Sequence, residues 1–483
     1  MDSFDLLIIG GGINGAAIAR DAALRGAKVL LVEKDDLAAH TSSASSKLIH
    51  GGLRYLEYRE FRLVREALHE REILLSTAPH IVRPLRFILP ESAGSRPHWM
   101  LRAGLWLYDL FSFRGSLPRS RVVSRTDPAL AALAAPGRAL SYSDAWVDDS
   151  RLVVLNALHA AENGAEIATR TEFLSATREG GHWRARLSGG RQVSAKAIVN
   201  AAGPWVAAAL GRLSETSTSQ VRLIKGSHIV VPRLYEGDHA YILQQPDGRV
   251  VFALPFLGAF TLIGTTDIPV ASPDDAQISP EETAYLCEAA NLYLATRIAP
   301  SDIVWSYAGI RALHDNGATD AKAVTRDYHL ELDSAPGSRL LSIFGGKITT
   351  ARALAEEAVE MLGLEGRRST RSAFFPGGDL HPGFLSWLEA AGAWLPQPLL
   401  ARLANSYGTR MQAVLADARG VADLGRHYGA GLYEAELSYL IETEWARTAE
   451  DILWRRSKLG LFLSKAERAA LERRLTQNPS PRT

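Results

Sequence analysis

Three glycines near the start of the chain have the spacing of a dinucleotide-binding turn. Gly10, Gly12 and Gly15 follow an apolar stretch, residues 4–9, and precede an alanine-rich segment with helical spacing. This G-x-G-x-x-G frame needs glycine for a tight turn, for close approach of the backbone to a pyrophosphate, and for close packing of helix on strand. A diphosphate would bind at the helix N-terminus, where unpaired N–H groups and the helix dipole favour negative charge. Asn14, inside the frame, is a further candidate contact.

An acid follows the glycines at the spacing of a ribose ligand. Residues 28–32 predict a second strand, and Glu33 comes directly after it, eighteen residues beyond Gly15. A carboxylate there accepts the adenosine ribose hydroxyls and argues against a 2′-phosphate. Strand, helix, strand and acid in this order predict dinucleotide binding, but they do not separate NAD from FAD.

Three later segments must supply the rest of such a site. Residues 41–55 open with small hydroxyl residues, pass through Gly51-Gly52 and lead into a helical pattern at 60–77, which favours a loop around a cofactor over a spacer. Residues 197–205 predict a buried strand that ends in small residues. Residues 340–344 predict another strand, followed by Gly345-Gly346 and a helix over 347–361. A helix that begins after two glycines can approach a planar cofactor and stabilise negative charge on it.

The composition excludes several classes of protein. Hydrophobic residues make up 47% of the 483 residues and charged residues 22%, as in ordinary globular proteins. Lysine and arginine total 54 against 53 acids. The net charge of +1 therefore lacks the overall positive excess that is typical of a nucleic-acid binder. The single cysteine, Cys287, excludes an intrachain disulfide and a cysteine-rich metal site, and it fits a reducing compartment. With no apolar segment of spanning length and no signal-peptide pattern, the expected location is the cytoplasm.

These segments together resemble the FAD-dependent (aerobic) glycerol-3-phosphate dehydrogenase family. The resemblance covers nearly the whole chain, and its most specific strings are SSASSKLIHGGLRYLE and RLIKGSHIVVP. Further matching segments are residues 142–151, 263–267, 306–311, 325–328, 344–350 and 444–461. The resemblance implies FAD as the cofactor and hydride transfer from C2 of sn-glycerol 3-phosphate to the flavin N5. Dihydroxyacetone phosphate is then the product, and a quinone is the acceptor of the electrons.

The resemblance also assigns candidate roles to individual residues. Arg54, Arg311 and Arg326 stand at the family's phosphate-binding positions, where planar guanidinium groups give bidentate contacts, and Tyr55 can add a hydroxyl. A proline commonly follows the family's second arginine, but Ala312 follows it here, which makes the contacts of that loop less secure.

Oxidation of a carbinol calls for a base and for a cation that holds developing negative charge. His228 is the candidate base, although a histidine beside a β-branched strand is often structural. Lys347 and Arg311 are the candidate cations. The turn at residues 265–267 is expected near the same pocket, without an assigned step. No metal is expected, and the candidate cofactor contacts are Gly10, Gly12, Asn14, Gly15, Glu33, Ser42, Ser46, Lys47, Leu48, Gly203, Gly346 and Thr349.

The scatter of the cofactor strings predicts an α/β fold with a discontinuous Rossmann-like FAD-binding domain. Its expected segments are residues 1–75, 145–215 and 305–365. A β-rich substrate-binding domain is expected from residues 76–144 and 216–304, because apolar and polar residues alternate there around a Pro-Asp-Gly turn. Turn signals at 376–383 mark the boundary region of a helical C-terminal domain, residues 370–483, with a frayed end.

Residues 96–125 combine six arginines and one acid with several aromatic residues, including Trp99 and Trp106. This mixture suits the headgroup level of an anionic bilayer, and a buried amphipathic helix explains the apolar positions equally well. The resemblance favours peripheral attachment to the inner face of the cytoplasmic membrane, with a homodimer as a further possibility and no nucleic-acid partner. Three alternatives stay open: an FAD oxidase of the amino-acid-oxidase kind, a flavoprotein that modifies nucleic acid, and a membrane sensor that only holds FAD.

Overall fold

The computed structural model describes residues 1–91, 96–112, 115–213, 215, 219–314, 327–333 and 338–477. The strands of this part of the chain are β1 Asp2–Ile9, β2 Val29–Val32, β3 Leu48–Ile49, β4 Val82–Pro90, β5 Arg121–Val122, β6 Ala139–Val147, β7 Glu166–Ala168, β8 Phe173–Glu179, β9 His182–Leu187, β10 Gln192–Asn200, β11 Val221–Pro232, β12 Ala240–Gln244, β13 Val250–Phe256, β14 Phe260–Gly264, β15 Ile268–Pro269, β16 Trp305–His314, β17 His329–Asp333 and β18 Arg339–Phe344. Its helices are α1 Ile13–Leu24, α2 Phe61–Thr77, α3 His98–Phe111, α4 Asp149–Glu162, α5 Val206–Arg212, α6 Pro280–Asn291, α7 Ala351–Met361, α8 Pro382–Gly392, α9 Gln397–Tyr407, α10 Met411–Leu415, α11 Glu434–Thr443 and α12 Lys465–Gln477.

The first sheet has the order β17-β18-β10-β1-β2-β7, with β9 beside β10 and β8 beside β9. From β18 to β7 neighbouring strands are parallel, and α1 is the crossover that returns the chain from β1 to β2. Ile9 pairs with both Val32 and Asn200, so the carboxyl ends of β1, β2 and β10 lie level. Such an edge is where α/β sheets bind ligands.

The second sheet is built mainly from antiparallel strands in the order β15-β11-β14-β13-β12-β4-β6-β3, and β16 pairs with β11. His228 of β11 pairs with Tyr307 of β16 and with Gly264 of β14, in the middle of this sheet. Two segments expected in the FAD-binding domain contribute strands here: residues 305–314 form β16, and residues 48–49 form β3. The short β3 carries the loop that follows residues 41–47 onto the second sheet, so both sheets border that loop.

The C-terminal helices α8 to α12 pack around an apolar cluster of their own. This domain contacts the rest of the protein through buried ion pairs. Asp36, just after β2, accepts bonds of 2.7 and 2.8 Å from Arg455 and Arg456, and Arg151 of α4 is paired with Glu444. Since unpaired buried charges are strongly unfavourable, these pairs fix the domain against the first sheet.

The predicted fold class is confirmed, and one helix prediction differs in detail. The helix expected from residue 347 begins as a 3-10 turn, Ile348–Thr350, and becomes α-helical only at Ala351. Within the helical C-terminal domain, α11 ends just before Trp445, which adopts a left-handed φ of +58°. The chain resumes as a π-helical turn, Asp451–Arg456, which carries the two arginines that bind Asp36.

Candidate active site

A cavity of about 590 Å³ runs along the carboxyl edge of the first sheet and reaches β11 and β16 of the second. The predicted site residues that line it are Gly10, Gly12, Asn14, Glu33, Ser42, Ser46, Leu48, Tyr55, Gly203, His228, Arg311, Gly346, Lys347 and Thr349. Residues separated by more than 300 positions in the sequence therefore meet in one site.

The glycine frame packs as tightly as its spacing predicts. Gly10 has a φ of +110°, and a β-carbon there would lie 2.5 Å from the carbonyl oxygen of Ala201. A β-carbon on Gly15 would lie 2.0 Å from the carbonyl oxygen of Gly10. Gly15 lies outside the cavity lining and allows α1 to approach β1. Neither position tolerates a larger side chain, and residues 12–14 at the start of α1 line the cavity.

Glu33 lines the cavity directly after β2. Its carboxylate accepts hydrogen bonds from the backbone N–H groups of Gly11, at 2.6 Å, and of Asp35, at 2.9 Å. Burial raises the pKa of Glu33, and these two N–H groups oppose the rise. A carboxylate held in this way beside the turn is oriented to accept ribose hydroxyls.

Asn14 connects the two glycine-rich turns. Its Nδ2 donates to the carbonyl oxygen of Gly345 at 3.2 Å, whereas its buried Oδ1 has no hydrogen-bond partner among the described residues. Gly346 has a φ of +105°, and a β-carbon there would lie 2.8 Å from Asn14. A buried acceptor in a cavity bounded by two helix starts and an acid fits a long ligand with phosphate and hydroxyl groups, as FAD is.

His228 lies at the end of the cavity formed by the second sheet. Its Nε2 lies 2.9 Å from Oγ of Ser46, and its ring stacks on that of Tyr307 with centroids 4.8 Å apart. Burial, followed by the positive charges of Lys47 and Arg311, holds the pKa of His228 well below its ordinary 6.5. The imidazole is therefore neutral at physiological pH, and a neutral imidazole can accept a proton.

Two cations border the same end of the cavity. Arg311 donates from Nη1 to Asp267 at 2.8 Å and from Nη2 to the carbonyl oxygen of Thr266 at 3.2 Å. The ammonium group of Lys347 lies over the ring of Tyr55, 3.8 Å from its centroid. Both cations are directed by neighbouring groups, so this end of the cavity can hold an anion in a defined place.

Arg54 borders a second cavity of about 590 Å³ that shares His50, Tyr55, Phe252 and Thr265 with the first. Its Nη2 lies 3.5 Å from the hydroxyl of Tyr58. Residues of α3 form the far wall of this second cavity. Arg54 is therefore near the candidate anion site, on the side away from the glycine frame.

Lys47 is placed differently from the expectation of a cofactor contact. Its side chain is fully buried and lies 2.8 Å from both carboxylate oxygens of Asp149, outside the cavity lining. The sequence could not indicate this, because the partner lies 102 positions away at the start of α4. Arg326 lies outside the described residues, so its predicted role stays a prediction.

Sequence reasoning expected Asp267 near the pocket without assigning it a role, and it missed Tyr307 and Asp149. Asp267 orients Arg311, Tyr307 stacks on His228, and Asp149 binds Lys47. All three fall in strings that carried the family resemblance, but only the folded chain reveals their contacts.

Comparison with known proteins assigns the chain to a family. The FAD dependent oxidoreductase family matches residues 5–361, and the C-terminal domain of alpha-glycerophosphate oxidase matches residues 368–476. A glycerol-3-phosphate dehydrogenase of Pseudomonas aeruginosa is 52% identical over 97% of this chain and 94% of its own length. The chain belongs to the FAD-dependent glycerol-3-phosphate dehydrogenase family. FAD is accordingly its cofactor, as the shape and polar lining of the first cavity indicate.

Two further relatives bear on this family assignment. A D-erythritol 1-phosphate dehydrogenase of Brucella abortus is 48% identical over 97% of both chains. The solved glycerol-3-phosphate dehydrogenase of Bacillus halodurans, complexed with FAD, has a TM-score of 0.72 and 25% identity, and the match covers 100% of this chain and 96% of that one. The family thus contains enzymes named for more than one phosphorylated polyol.

In the described part of the chain, no helix combines the length and the apolar character that crossing a bilayer requires.

Proposed function

We propose that this FAD-dependent oxidoreductase oxidises sn-glycerol 3-phosphate to dihydroxyacetone phosphate and delivers the electrons to a quinone at a membrane surface. The observation that carries the proposal is the convergence of Arg311, Lys347 and His228 on one end of the FAD cavity. Two cations suit a phosphate dianion, and a neutral buried histidine beside them suits a hydroxyl that must lose a proton.

The overall chemistry balances with these components. The C2 hydroxyl gives its proton to His228, the C2–H bond breaks as hydride leaves, and a C=O bond forms. FAD, when bound, supplies the acceptor for that hydride. The two electrons then pass to the quinone, which takes up two protons, so that neither the cofactor nor His228 is consumed.

Binding of the substrate is expected to change the pKa of His228. In the structure, burial and the charges of Lys47 and Arg311 keep the pKa of His228 low. A phosphate dianion bound at Arg311 offsets one of these charges and raises the pKa of the imidazole toward the working pH, where a general base acts best. Substitution of His228 by Asn should leave FAD bound but flatten the pH dependence of flavin reduction, and an unchanged profile would remove His228 from this role.

Anaerobic mixing tests substrate and cofactor together. The purified FAD-containing protein is mixed with sn-glycerol 3-phosphate while the flavin absorbance is followed, and glycerol and a panel of amino acids serve as controls. Bleaching by the phosphate ester alone supports the proposal. Bleaching only by an amino acid would instead support an oxidase of the amino-acid-oxidase kind.

The same experiment should include D-erythritol 1-phosphate as a second substrate, because one relative at 48% identity is named for it. That compound shares the terminal phosphate and an adjacent secondary alcohol, and it is one carbon longer. Comparison of the reduction rates at limiting concentrations decides which of the two polyol phosphates this chain prefers.

The membrane part of the proposal rests on α3 and its surroundings. Trp99 and Trp106 are 70% and 67% exposed, and Arg102, Arg119 and Arg121 nearby are also exposed. Exposed aromatic and basic residues suit the headgroup level of anionic lipid. The second cavity extends from this helix to the FAD cavity and is a suitable route for a lipid-soluble quinone.

Vesicle flotation tests this attachment. We expect the protein to float with vesicles that contain phosphatidylglycerol, and we expect a Trp99→Ser/Trp106→Ser double variant to remain in the soluble fraction. Leu292→Ser is the matched control, because Leu292 is a 54% exposed apolar residue on another surface. Equal flotation of the double variant and the wild type would contradict attachment through α3.

A separate variant tests whether a quinone accepts the electrons through the second cavity. Gly104 of α3 lines the second cavity, and a β-carbon there would meet no atom of the described residues within 4 Å. Gly104→Phe should therefore fill the cavity, slow reoxidation of the flavin by a soluble quinone, and leave reduction by substrate unchanged. Unaltered reoxidation would place the quinone elsewhere.

A further inference from the structure

Both neighbours of Ser46 in the chain are bound to one buried carboxylate. Asp149 accepts hydrogen bonds from the hydroxyl of Ser45, at 2.8 Å, and from its backbone N–H, at 3.2 Å. On the other side of Ser46, the ammonium group of Lys47 lies 2.8 Å from each carboxylate oxygen. Ser46 is thus held from both sides, and its own hydroxyl lies 2.9 Å from Nε2 of His228.

The carboxylate of Asp149 is itself held in place. Asp149 is fully buried in the first turn of α4, and its Oδ1 accepts the backbone N–H of Ser150 at 2.9 Å. The ammonium group of Lys458, from the C-terminal domain, lies 3.9 Å from Asp149 and forms a closer pair with the adjacent Asp148. A carboxylate with this many partners keeps its position when the cavity is occupied or emptied.

The backbone at Lys47 is held in a conformation that a lysine seldom adopts. Its φ is +57°, in the left-handed region, and its N–H donates to the hydroxyl of Ser45 at 2.9 Å. This conformation directs the side chain of Lys47 into the interior, while Ser46 borders the cavity. The contacts with Asp149 stabilise a backbone conformation that is unfavourable for Lys47 by itself.

A second path connects the same segment to His228. The hydroxyl of Tyr307 donates to the carbonyl oxygen of Ser45 at 2.8 Å, and the Tyr307 ring stacks on His228. The Lys47 ammonium lies over the Tyr307 ring, 5.0 Å from its centroid. Two groups that touch the imidazole, the Ser46 hydroxyl and the Tyr307 ring, are therefore bound to the segment that Asp149 holds.

We infer that Asp149 is a positioning residue, which holds residues 45–47 so that Ser46 and Tyr307 fix the orientation and the tautomer of His228. The inference rests on the proposed function, in which His228 accepts the proton. The groups that face His228 are Ser46 and Lys47 from the loop before β3 and Tyr307 and Arg311 from β16, with Lys347 and Tyr55 on the same cavity. Of these, only Lys47 carries a charge that Asp149 balances at hydrogen-bond distance.

A double-mutant cycle with holoenzyme tests the inference. In Asp149→Asn we expect FAD to stay bound, the rate of flavin reduction to fall about 10- to 100-fold, as for other residues that orient a reacting group, and KM to change little. The Lys47 charge is then unbalanced, so the acid limb of the pH profile moves to lower pH. Ser46→Ala should also slow reduction, and the Ser46→Ala/Asp149→Asn variant should be no slower than the slower single variant. Multiplied effects in the double variant, or an acid limb that does not move, would overturn the inference.

Two further variants guard against a folding defect. Ser45→Ala keeps both buried charges and removes the two hydrogen bonds of the hydroxyl, the one it donates to Asp149 and the one it accepts from the Lys47 N–H, so it should fold and should still slow reduction. Asp148→Asn is the control, because Asp148 is the adjacent, partly buried acid and its bonds go to Lys458, Ser150 and Arg151. It should lower the melting temperature without moving the pH profile. A profile that moves as much in Asp148→Asn as in Asp149→Asn would show a general structural effect.

A readout without substrate separates this inference from the proposed function. The absorption spectrum of bound FAD is titrated with pH, because a nearby imidazole perturbs it on protonation. The transition seen in the wild type should disappear in His228→Asn and should move to lower pH in Asp149→Asn. If wild-type flavin is not bleached by the phosphate ester, the proposed function fails. If the Asp149→Asn titration matches the wild type, the positioning role fails whatever the substrate proves to be.

Discussion

The carboxylate of Asp267 lies 2.8 Å from Nη1 of Arg311, at the turn that connects β14 to β15. The other terminal nitrogen of Arg311 donates to the carbonyl oxygen of Thr266, so a single turn orients the whole guanidinium plane. A close glycine contact supports it, since a β-carbon on Gly226 would lie 2.1 Å from Nη2 of Arg311. The planar group is presented to the cavity at a defined angle.

Substitution of Arg311 by Lys keeps the charge and loses this geometry. We expect KM for sn-glycerol 3-phosphate to rise about tenfold or more, because a point charge cannot replace the forked contacts of a guanidinium with phosphate. Steady-state kinetics with a soluble quinone measures the change. Arg249→Lys is the control, as Arg249 pairs with Asp247 at 2.6 Å away from the site, and it should leave KM unchanged. An equal KM in the two variants would argue against a phosphate contact by Arg311.

The ring of Tyr55 directs the ammonium group of Lys347. Tyr55→Phe keeps the aromatic face and should retain most of the activity, whereas Tyr55→Leu removes the cation–π contact, which contributes about 0.5–2 kcal/mol. We expect KM for the phosphate ester to rise more in the Leu variant than in the Phe variant, measured in the same assay. The reverse order would indicate that the Tyr55 hydroxyl, and not its ring, is the important group.

Gly15 permits the contact between α1 and the turn that precedes it. Gly15→Ala places a β-carbon 2.0 Å from the carbonyl oxygen of Gly10, and we expect a loss of at least about 2 kcal/mol in stability together with weaker FAD binding. Chemical denaturation and flavin fluorescence measure the two effects. Gly211→Ala is a matched control within α5, because a β-carbon there meets no atom of the described part of the chain within 4 Å, and it should raise stability by up to about 1 kcal/mol.

Acid should destabilise the protein through His80. This histidine is buried near the C-terminal domain, and within the described residues neither of its ring nitrogens has a hydrogen-bond partner. Burial, followed by the charge of Arg151, lowers the pKa of His80 to about 3. The unfolded chain binds the proton more readily, so this contribution to stability is complete above about pH 6.5 and is lost as the pH falls toward 3.

At pH 5 the loss from this one group amounts to about 2 kcal/mol. Urea denaturation at pH 7 and pH 5 should therefore show a smaller drop for His80→Leu than for the wild type. The exposed His69 provides the comparison, and His69→Leu should show the wild-type drop. Equal drops in all three proteins would mean that His80 does not titrate on unfolding.

The parts of the site that depend on local spacing could be predicted from the sequence. The glycine frame, Glu33 and the Gly345-Gly346 turn each follow directly from a strand, and strand order brings them to one edge. The position of the Lys47 side chain could not be predicted, because the left-handed backbone at this residue and a partner on α4 decide it. The pairing of Asp267 with Arg311 depends on the register between β11, β15 and β16. Residue type alone does not specify that register.

The ion pairs between the C-terminal domain and the first sheet also bear on how the protein is made. Asp36, Asp148 and Arg151 occur in the first third of the chain, but the residues that balance their charges, from Glu444 to Lys458, are synthesised near the end. While a ribosome is still extending the chain, three groups next to the cofactor loops therefore lack their counter-ions. We expect tight FAD incorporation to wait until the chain has been released, so that truncated products of synthesis leave the ribosome as colourless protein.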